Sequence, residues 1–482
     1  MEAKPAEVQR AKQAGEVYDQ SGDRWVWTAP SVWTERMLEA LEKGVKGGIW
    51  FSLIDKVYTM RNLRAAFEKV RANRGAAGVD HQTIEMFETN LETNLERLSE
   101  ELAEGRYSPR ALRRHWIPKP GSSEKRPLGI PVVRDRVAET ALRHVLEPIF
   151  ERDFAEHSYG FRPRRGCKDA LRRVCQLLKA GYTWVVDADL QRYFDTIPHD
   201  KLLGEVKRKV ADSRVLDLVE AMLKQGVMDG LAYWEPKEGT PQGAVISPLL
   251  SNIYLDPLDH EMASRRYEMV RYADDLVILC RSEAEARRAL ADLQEWTANA
   301  GLRLHPEKTK IVDATQRGGF DFLGYHFERG YRWPRRKSVA KLRTTIRSKT
   351  GRNQGKSLKI IIETVNQTLR GWFEYFKHSH QTTFPPLDQW TRMRLRSILR
   401  RRRKLRGRAR GADHVRWPNA FFAERGLFSL SGAYAQCRQS LSRRTINWRA
   451  GCGRSASPVR REGERIQSSL PTPIPSSRSS LS

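Results

Sequence analysis

Three aspartates carry the chemistry this sequence is best equipped to do. Two are adjacent, Asp274 and Asp275 in "VRYADDLVILC" (270–280), and the third, Asp189, ends "TWVVDAD" (183–189). Carboxylate oxygens are the preferred ligands of hard cations such as Mg²⁺. Two such ions about 4 Å apart activate a 3′-hydroxyl and stabilise a leaving pyrophosphate. That chemistry needs three neighbouring carboxylates. Taken alone, an Asp-Asp pair is an ordinary solvated turn, and a single Asp189 is a helix N-cap or an exposed strand end.

Positioning the three falls to strands and a turn. Val270, Tyr272 and the run from Leu276 to Cys280 favour strand, whereas Asp274 and Asp275 suit a tight turn, which predicts a β-hairpin with the pair at its tip. If "TWVVDADL" is a buried strand, its period of two puts Asp187 and Asp189 on one face, with Asp189 at the C-terminal end where sites open. Two strands then converge on one metal site. The rest of the chain points to a polyanionic partner: 86 Lys and Arg against 58 acids give a net charge of +28 and a pI near 10.1. With 39% hydrophobic residues and 13 Trp there is material for substantial cores, which excludes a bare basic tail. Together these readings favour nucleotidyl transfer.

The 482 residues exceed what one core usually holds, so two or three domains are expected. Residues 1–60 read as a polar, then Trp-dotted, N-terminal extension. Helical spacing dominates from 61 to 105, and helices and β-rich runs then alternate irregularly to about 328, an α+β pattern. From 335 to 452 the chain reads as helical and Arg-rich, and 453–482, rich in Ser, Pro and Arg, as a disordered tail. Cys167, Cys175, Cys280, Cys437 and Cys452 form no CxxC pair, which argues against a disulfide framework and a cysteine-rich zinc module. The N-terminus lacks the apolar core of a signal peptide, and no stretch has the length of a membrane span, so cytoplasmic residence without a membrane partner is expected.

Eight segments in order make the sequence resemble the reverse transcriptases encoded by bacterial group II introns, also called maturases: "IPKPGSSEKRPLGIPVVRDRV", "SYGFRPRRG", "VVDADLQRYFDTIPHDKL", "GTPQGAVISPLLSNIYLD", "RYADDLVILC", "GLRLHPEKTKIV", "FDFLGYHF" and "LRGWFEYF". The resemblance covers about residues 20 to 450. It implies a right-hand polymerase of the α+β class, with fingers over 61–180, a palm over 181–328 and a helical thumb and maturase domain over 335–452. It assigns Asp274 and Asp275 to the palm hairpin and Asp189 to the facing strand, as catalytic residues and as ligands of a two-Mg²⁺ site. Lys119 and Arg126 match residues that grip the incoming dNTP, and Phe194 the ring that lies under its sugar and excludes a 2′-hydroxyl. Gln242 is expected beside the nascent base pair and Arg162 on the template backbone. Phe322, Leu323, Gly324 and Tyr325 resemble a primer grip.

The resemblance also implies partners: the parent intron RNA, an RNA template with a DNA primer, and a DNA target, with a homodimer left open. Eleven Lys or Arg fall within residues 391–410, and Arg392, Arg394, Arg396, Arg400, Arg401, Arg402, Arg403 and Lys404 are expected to track RNA phosphates from a helix. The sequence departs from many relatives in having no His after His414, and Cys437 and Cys452 stand apart. A zinc-supported DNA-cutting (HNH) module is therefore not expected. Two other readings share the palm pattern: a retron- or defence-type reverse transcriptase, and an RNA-binding maturase with a decayed polymerase. The motif "LRGWFEYF" with the basic helices opposes the first, and the three intact aspartates oppose the second.

Overall fold

The computed structural model describes residues 24–118, 125–405 and 411–439. Lys119, the basic residues at 406–410, Cys452 and the stretch 453–482 lie outside the described residues. In chain order the strands are β1 (Leu112–Pro118), β2 (Lys125–Ile130), β3 (Trp184–Asp189), β4 (Val227–Asp229), β5 (Ala232–Trp234), β6 (Glu268–Tyr272), β7 (Asp275–Cys280), β8 (Lys310–Asp313), β9 (Phe320–Phe322), β10 (Tyr325–Glu328) and β11 (Tyr331–Pro334).

The palm sheet has the order β6-β7-β3-β8 and is antiparallel throughout. Both faces are covered. Val185, Val270, Val277 and Leu279 pack with Ala170, Leu171 and Val174 of the helix Cys167–Lys179. On the other face Val186, Met269, Leu276 and Ile278 join the largest core, along with residues of the helices Ser247–Ser264 and Glu283–Asn299. Burial on two faces is why these strands read as continuous apolar runs rather than alternating ones. Each such side chain contributes about 1.5–3 kcal/mol. The helix Glu283–Asn299 begins where it does because the Ser282 hydroxyl accepts the Glu285 N–H at 3.2 Å, with Glu283 and Glu285 at the positive end of the helix dipole.

A second sheet, ordered β2-β1-β4-β5, forms the fingers, with β1 and β4 parallel through Leu112 opposite Val227. β4 and β5, which fall inside 181–328, thus pair into the sheet of β1 and β2 and not into that of β3, β6, β7 and β8. Short strands that cross to a distant partner leave no local mark of which sheet they join. From Trp25 onward the N-terminal extension packs into the core. Trp33 is buried and donates from its indole to the His144 carbonyl at 2.8 Å, and the Asp212 carboxylate accepts the N–H groups of Leu53 and Ile54 at 2.7 and 2.9 Å.

The third sheet, β11-β10-β9, leads into the helices Arg336–Lys349, Leu358–Phe376 and Phe384–Arg402. In the middle one, Ile361, Ile362, Val365, Leu369 and Phe373 recur at three- and four-residue spacing and form a buried stripe against Leu342, Ile346, Leu395 and Ile398. Among the described residues no helix is long and apolar enough to cross a membrane.

Candidate active site

The turn between β6 and β7 has Tyr272 paired with Asp275, leaving Ala273 and Asp274 at its tip, so the expected hairpin is present. Ala273 takes φ +58°, a left-handed conformation that costs a non-glycine residue about 1–3 kcal/mol. A buried frame holds it there. Arg271, with 1% of its side chain exposed, pairs with Asp259 and donates to Asn252 Oδ1 at 3.1 Å and to the Ala273 carbonyl at 3.0 Å. Asn252 in turn donates to the Gly160 carbonyl at 2.8 Å. Gly160 lies so close to the turn that a Cβ there would stand 2.2 Å from Ala273 N, which explains a glycine in "SYGFRP".

Across the strands, Asp189 lies directly opposite Asp275, and Asp187 lies opposite Val277. Paired residues point to one face, so Asp187, Asp189 and Asp275 share it, with Asp274 adjoining on the turn. The electrostatics agree with that proximity. Burial, then the charges of Asp187, Asp274 and Asp189, push Asp275 up to about 7, although the Leu323 N–H favours its anion. Burial likewise raises Asp187 to about 6, against the pull of Lys310, and raises Asp274, which also feels Asp189 and Arg126.

Two lysines that the sequence reading passed over answer these acids. Lys308 Nζ is 2.6 Å from Asp189 Oδ2, and Lys310 Nζ is 3.9 Å from Asp187 Oδ2. Their alternation in "HPEKTK" mirrors that of the two aspartates on the paired strand, a signal visible once β8 is paired with β3. Among the described residues no three acid, His or Cys side chains stand, as placed, close enough together to hold a metal ion. The donor set nevertheless fits a hard divalent cation: Asp187, Asp274 and Asp275 are raised by burial and then by neighbouring carboxylates, and a cation would offset both.

On the fingers side, Arg126 Nε donates to Gln242 Oε1 at 2.6 Å, so two residues predicted for the nucleotide meet. Phe194 is only 7% exposed, its ring edge-on to Phe161 at 6.4 Å, and Phe161 is the more open of the two at 43%. Neither motif spacing nor composition singled out Phe161.

Three groups of expected residues are placed as follows. Arg162 is buried, with its fork on Glu151 at 2.8–3.1 Å and on the Ser158 carbonyl at 2.9 Å, so it braces the 151–162 turn. In the grip segment, Phe322 and Tyr325 are core side chains. The turn Leu323–Gly324 between them is half-buried and tied to the thumb helix by Tyr375 Oη donating to the Leu323 carbonyl at 2.7 Å. The basic block divides. Arg396 is buried and donates to the Trp417 carbonyl and Asn419 Oδ1, both at 2.9 Å. Arg394 donates to the Thr350 carbonyl at 2.8 Å, and Arg400 pairs with Asp413 at 2.7 Å. Arg392 is half-buried, whereas Arg401, Arg402, Arg403 and Lys404 are exposed.

Comparison with known families agrees with this geometry. A family model described as reverse transcriptase (RNA-dependent DNA polymerase) matches residues 117–327, and one described as group II intron, maturase-specific domain matches 339–417. Protein YkfC of Escherichia coli (strain K12) is 34% identical over 326 residues, which is 59% of this chain and 84% of YkfC. Group II intron-encoded protein LtrA of Lactococcus lactis subsp. cremoris is 37% identical over 196 residues, 40% of this chain and 32% of LtrA. A putative COX1/OXI3 intron 1 protein of Saccharomyces cerevisiae is 26% identical over 397 residues, 70% of this chain and 47% of the yeast protein. The chain thus spans most of YkfC and less than half of the other two.

Proposed function

This chain belongs to the family of group II intron-encoded reverse transcriptases that carry a maturase domain, and from that membership we propose that it copies RNA into DNA and also binds its parent intron RNA to assist splicing and mobility. The observation that carries the polymerase reading is the β3–β7 register, which sets Asp189 against Asp275 with Asp274 beside them. These three residues would hold Mg²⁺. When bound, the metal supplies activation of the primer 3′-hydroxyl and neutralisation of the departing pyrophosphate.

The protein's own groups do the rest. Arg126 meets the triphosphate of a dNTP as a bidentate fork, and Phe194, with Phe161 against it, walls the sugar pocket. The turn Leu323–Gly324, whose N–H already reaches Asp275, seats the primer end beside the acids. Arg401, Arg402, Arg403 and Lys404 lie on RNA phosphates, and the same fold engages the template and the DNA target.

The test is Asp274→Asn, which keeps side-chain size and removes one charged ligand. Primer extension falls by at least about a thousandfold, while splicing of the parent intron at low Mg²⁺ persists, because many distributed cations and not this carboxylate bind the RNA. Retained extension would remove Asp274 from the active site. Loss of both activities in a folded variant would end the two-function reading.

A further inference from the structure

Asp195 follows Phe194 directly, and no role in the motif reading falls to it. Its Oδ1 accepts from Gln242 Nε2 at 3.2 Å, and Gln242 Oε1 accepts from Arg126 Nε. Arg192 Nε stands 3.5 Å from Asp195 Oδ2 on the outer side. The two ends of a primary amide are nearly equal in shape, so its partners decide its orientation. A carboxylate only accepts and a guanidinium only donates. Between them, one of the two amide orientations makes both bonds and the other makes neither.

The backbone around Gln242 is fixed in the same two directions. Gly129 N on β2 donates to the Gln242 carbonyl at 2.7 Å, while Thr240 N and Gly239 N donate to the carbonyls of Phe194 and Ile197 at 2.7 and 2.8 Å. A Cβ at Gly239 would stand 2.7 Å from the Phe194 carbonyl oxygen, and one at Gly243 would stand 2.4 Å from that of Gly129. The segment 239–243 is therefore pressed between fingers and palm with no room for a side chain at either end.

We infer that Asp195 is the palm-side anchor of a clasp, Asp195–Gln242–Arg126, which fixes the Gln242 amide in one orientation and holds the Arg126 fork toward the incoming nucleoside triphosphate. This deepens the polymerase reading and rests on it. The bond to Gln242 takes up Arg126 Nε, and the Nη pair is the part of the fork that meets phosphate. Asp195 is a positioning residue, because it acts on the nucleotide through two other side chains. Its loss therefore weakens dNTP affinity and leaves turnover at saturation largely intact.

The experiment is steady-state primer extension by the full chain with dNTP titrated, on folded variants checked by circular dichroism. Asp195→Asn keeps the shape but removes the charge and the acceptor-only character of the palm-side anchor, so that Arg126 alone still orients the Gln242 amide. KM for dNTP rises about tenfold, the scale of one charge-assisted hydrogen bond, with kcat little changed. Gln242→Glu sets one carboxylate against another and raises KM in the same manner. Combining Asp195→Asn with Gln242→Glu restores a donor facing an acceptor at both junctions, and KM returns toward the unmodified value. Should Asp195→Asn fail to fold, the rise from Gln242→Glu and its reversal in the pair still decide the matter. Unchanged KM in the single variants, additive rather than compensating effects in the pair, or a collapse of kcat at constant KM each overturn the clasp while leaving the polymerase reading standing. An unmodified chain that extends no primer overturns both.

Discussion

The palm turn and the helix Phe384–Arg402 use arginine in the same way behind opposite fronts. In the palm, buried Arg271 ties Asp259, Asn252 and the Ala273 carbonyl together, and the groups on display are acids. In the helix, Arg394, Arg396 and Arg400 are turned toward Thr350, Trp417 with Asn419, and Asp413, and the groups on display at its end and just past it, Arg401 to Lys404, are basic too, although Arg402 also donates to the Lys356 carbonyl and Arg403 lies over the Trp417 ring. Internal brace and external charge differ in sign in one region and are identical in the other. A run of like charges is therefore no map of a binding face, because some of its members are part of the frame.

The largest expected effect that sharpens this contrast is in the palm. Arg271→Met leaves Asp259 buried without its partner, and stability falls by about 3–5 kcal/mol. Chemical denaturation measures it, and primer extension declines along with it as Ala273 loses its restraint. A stability change below about 1 kcal/mol would break the comparison on this side.

In the helical region the two sets of arginines separate by assay. Arg396→Met removes two hydrogen bonds of a buried cation and costs about 2–3 kcal/mol, with the salt dependence of RNA binding unchanged. Changing Arg401, Arg402, Arg403 and Lys404 together to Gln alters stability by no more than about 1 kcal/mol, since only Arg402 on the Lys356 carbonyl and Arg403 over Trp417 make contacts, and lowers the log-log salt slope by roughly three. The reverse pattern would make Arg396 an RNA ligand and the exposed four a solvated face.

A further effect, confined to one range of pH, concerns a buried acid that braces the nucleotide side. Glu139 Oε2 accepts the N–H groups of Val245 and, at 3.3 Å, Ile246, just beyond the Gln242 segment. Burial nevertheless pushes its carboxyl up to about 8. The folded chain keeps a proton there that the unfolded chain releases above roughly pH 4.5, so the contribution to stability is complete below that pH and is lost as pH rises through about 8. Glu139→Gln should flatten this decline by about 1–2 kcal/mol between pH 6 and 8.5, read from thermal melts.

The placement of the acids was legible because it depends on local rules. Alternation placed Asp187 and Asp189 on one face, turn propensity placed Asp274 at a tip, and apolar runs marked the strands around them. What stayed hidden depends on partners far along the chain. Nothing local says that Arg162 will meet Glu151, that Lys308 will reach Asp189, or that Asp195 will bond to a glutamine 47 residues later. Likewise Phe322 and Tyr325 are as apolar as a grip requires, and only the packing of β9 and β10 turns their rings inward. Charge and aromaticity identify residues able to act, and tertiary pairing decides which of them are free to.

The fingers sheet, finally, sets a timetable for synthesis. β1 and β2 emerge from the ribosome as a hairpin, but the strand that joins β1 from the other side, β4, starts 115 positions after Leu112 at Val227. At ordinary elongation rates that interval is roughly 6–23 s. Throughout it the nascent hairpin has an unpaired strand edge, and β3 of the palm is translated within the same interval, before its own neighbours β7 and β8 exist. The fingers sheet has all its strands once Trp234 is made, whereas β6 of the palm sheet begins only at Glu268, so the fingers can close first and β3 is the strand that waits longest for its partners.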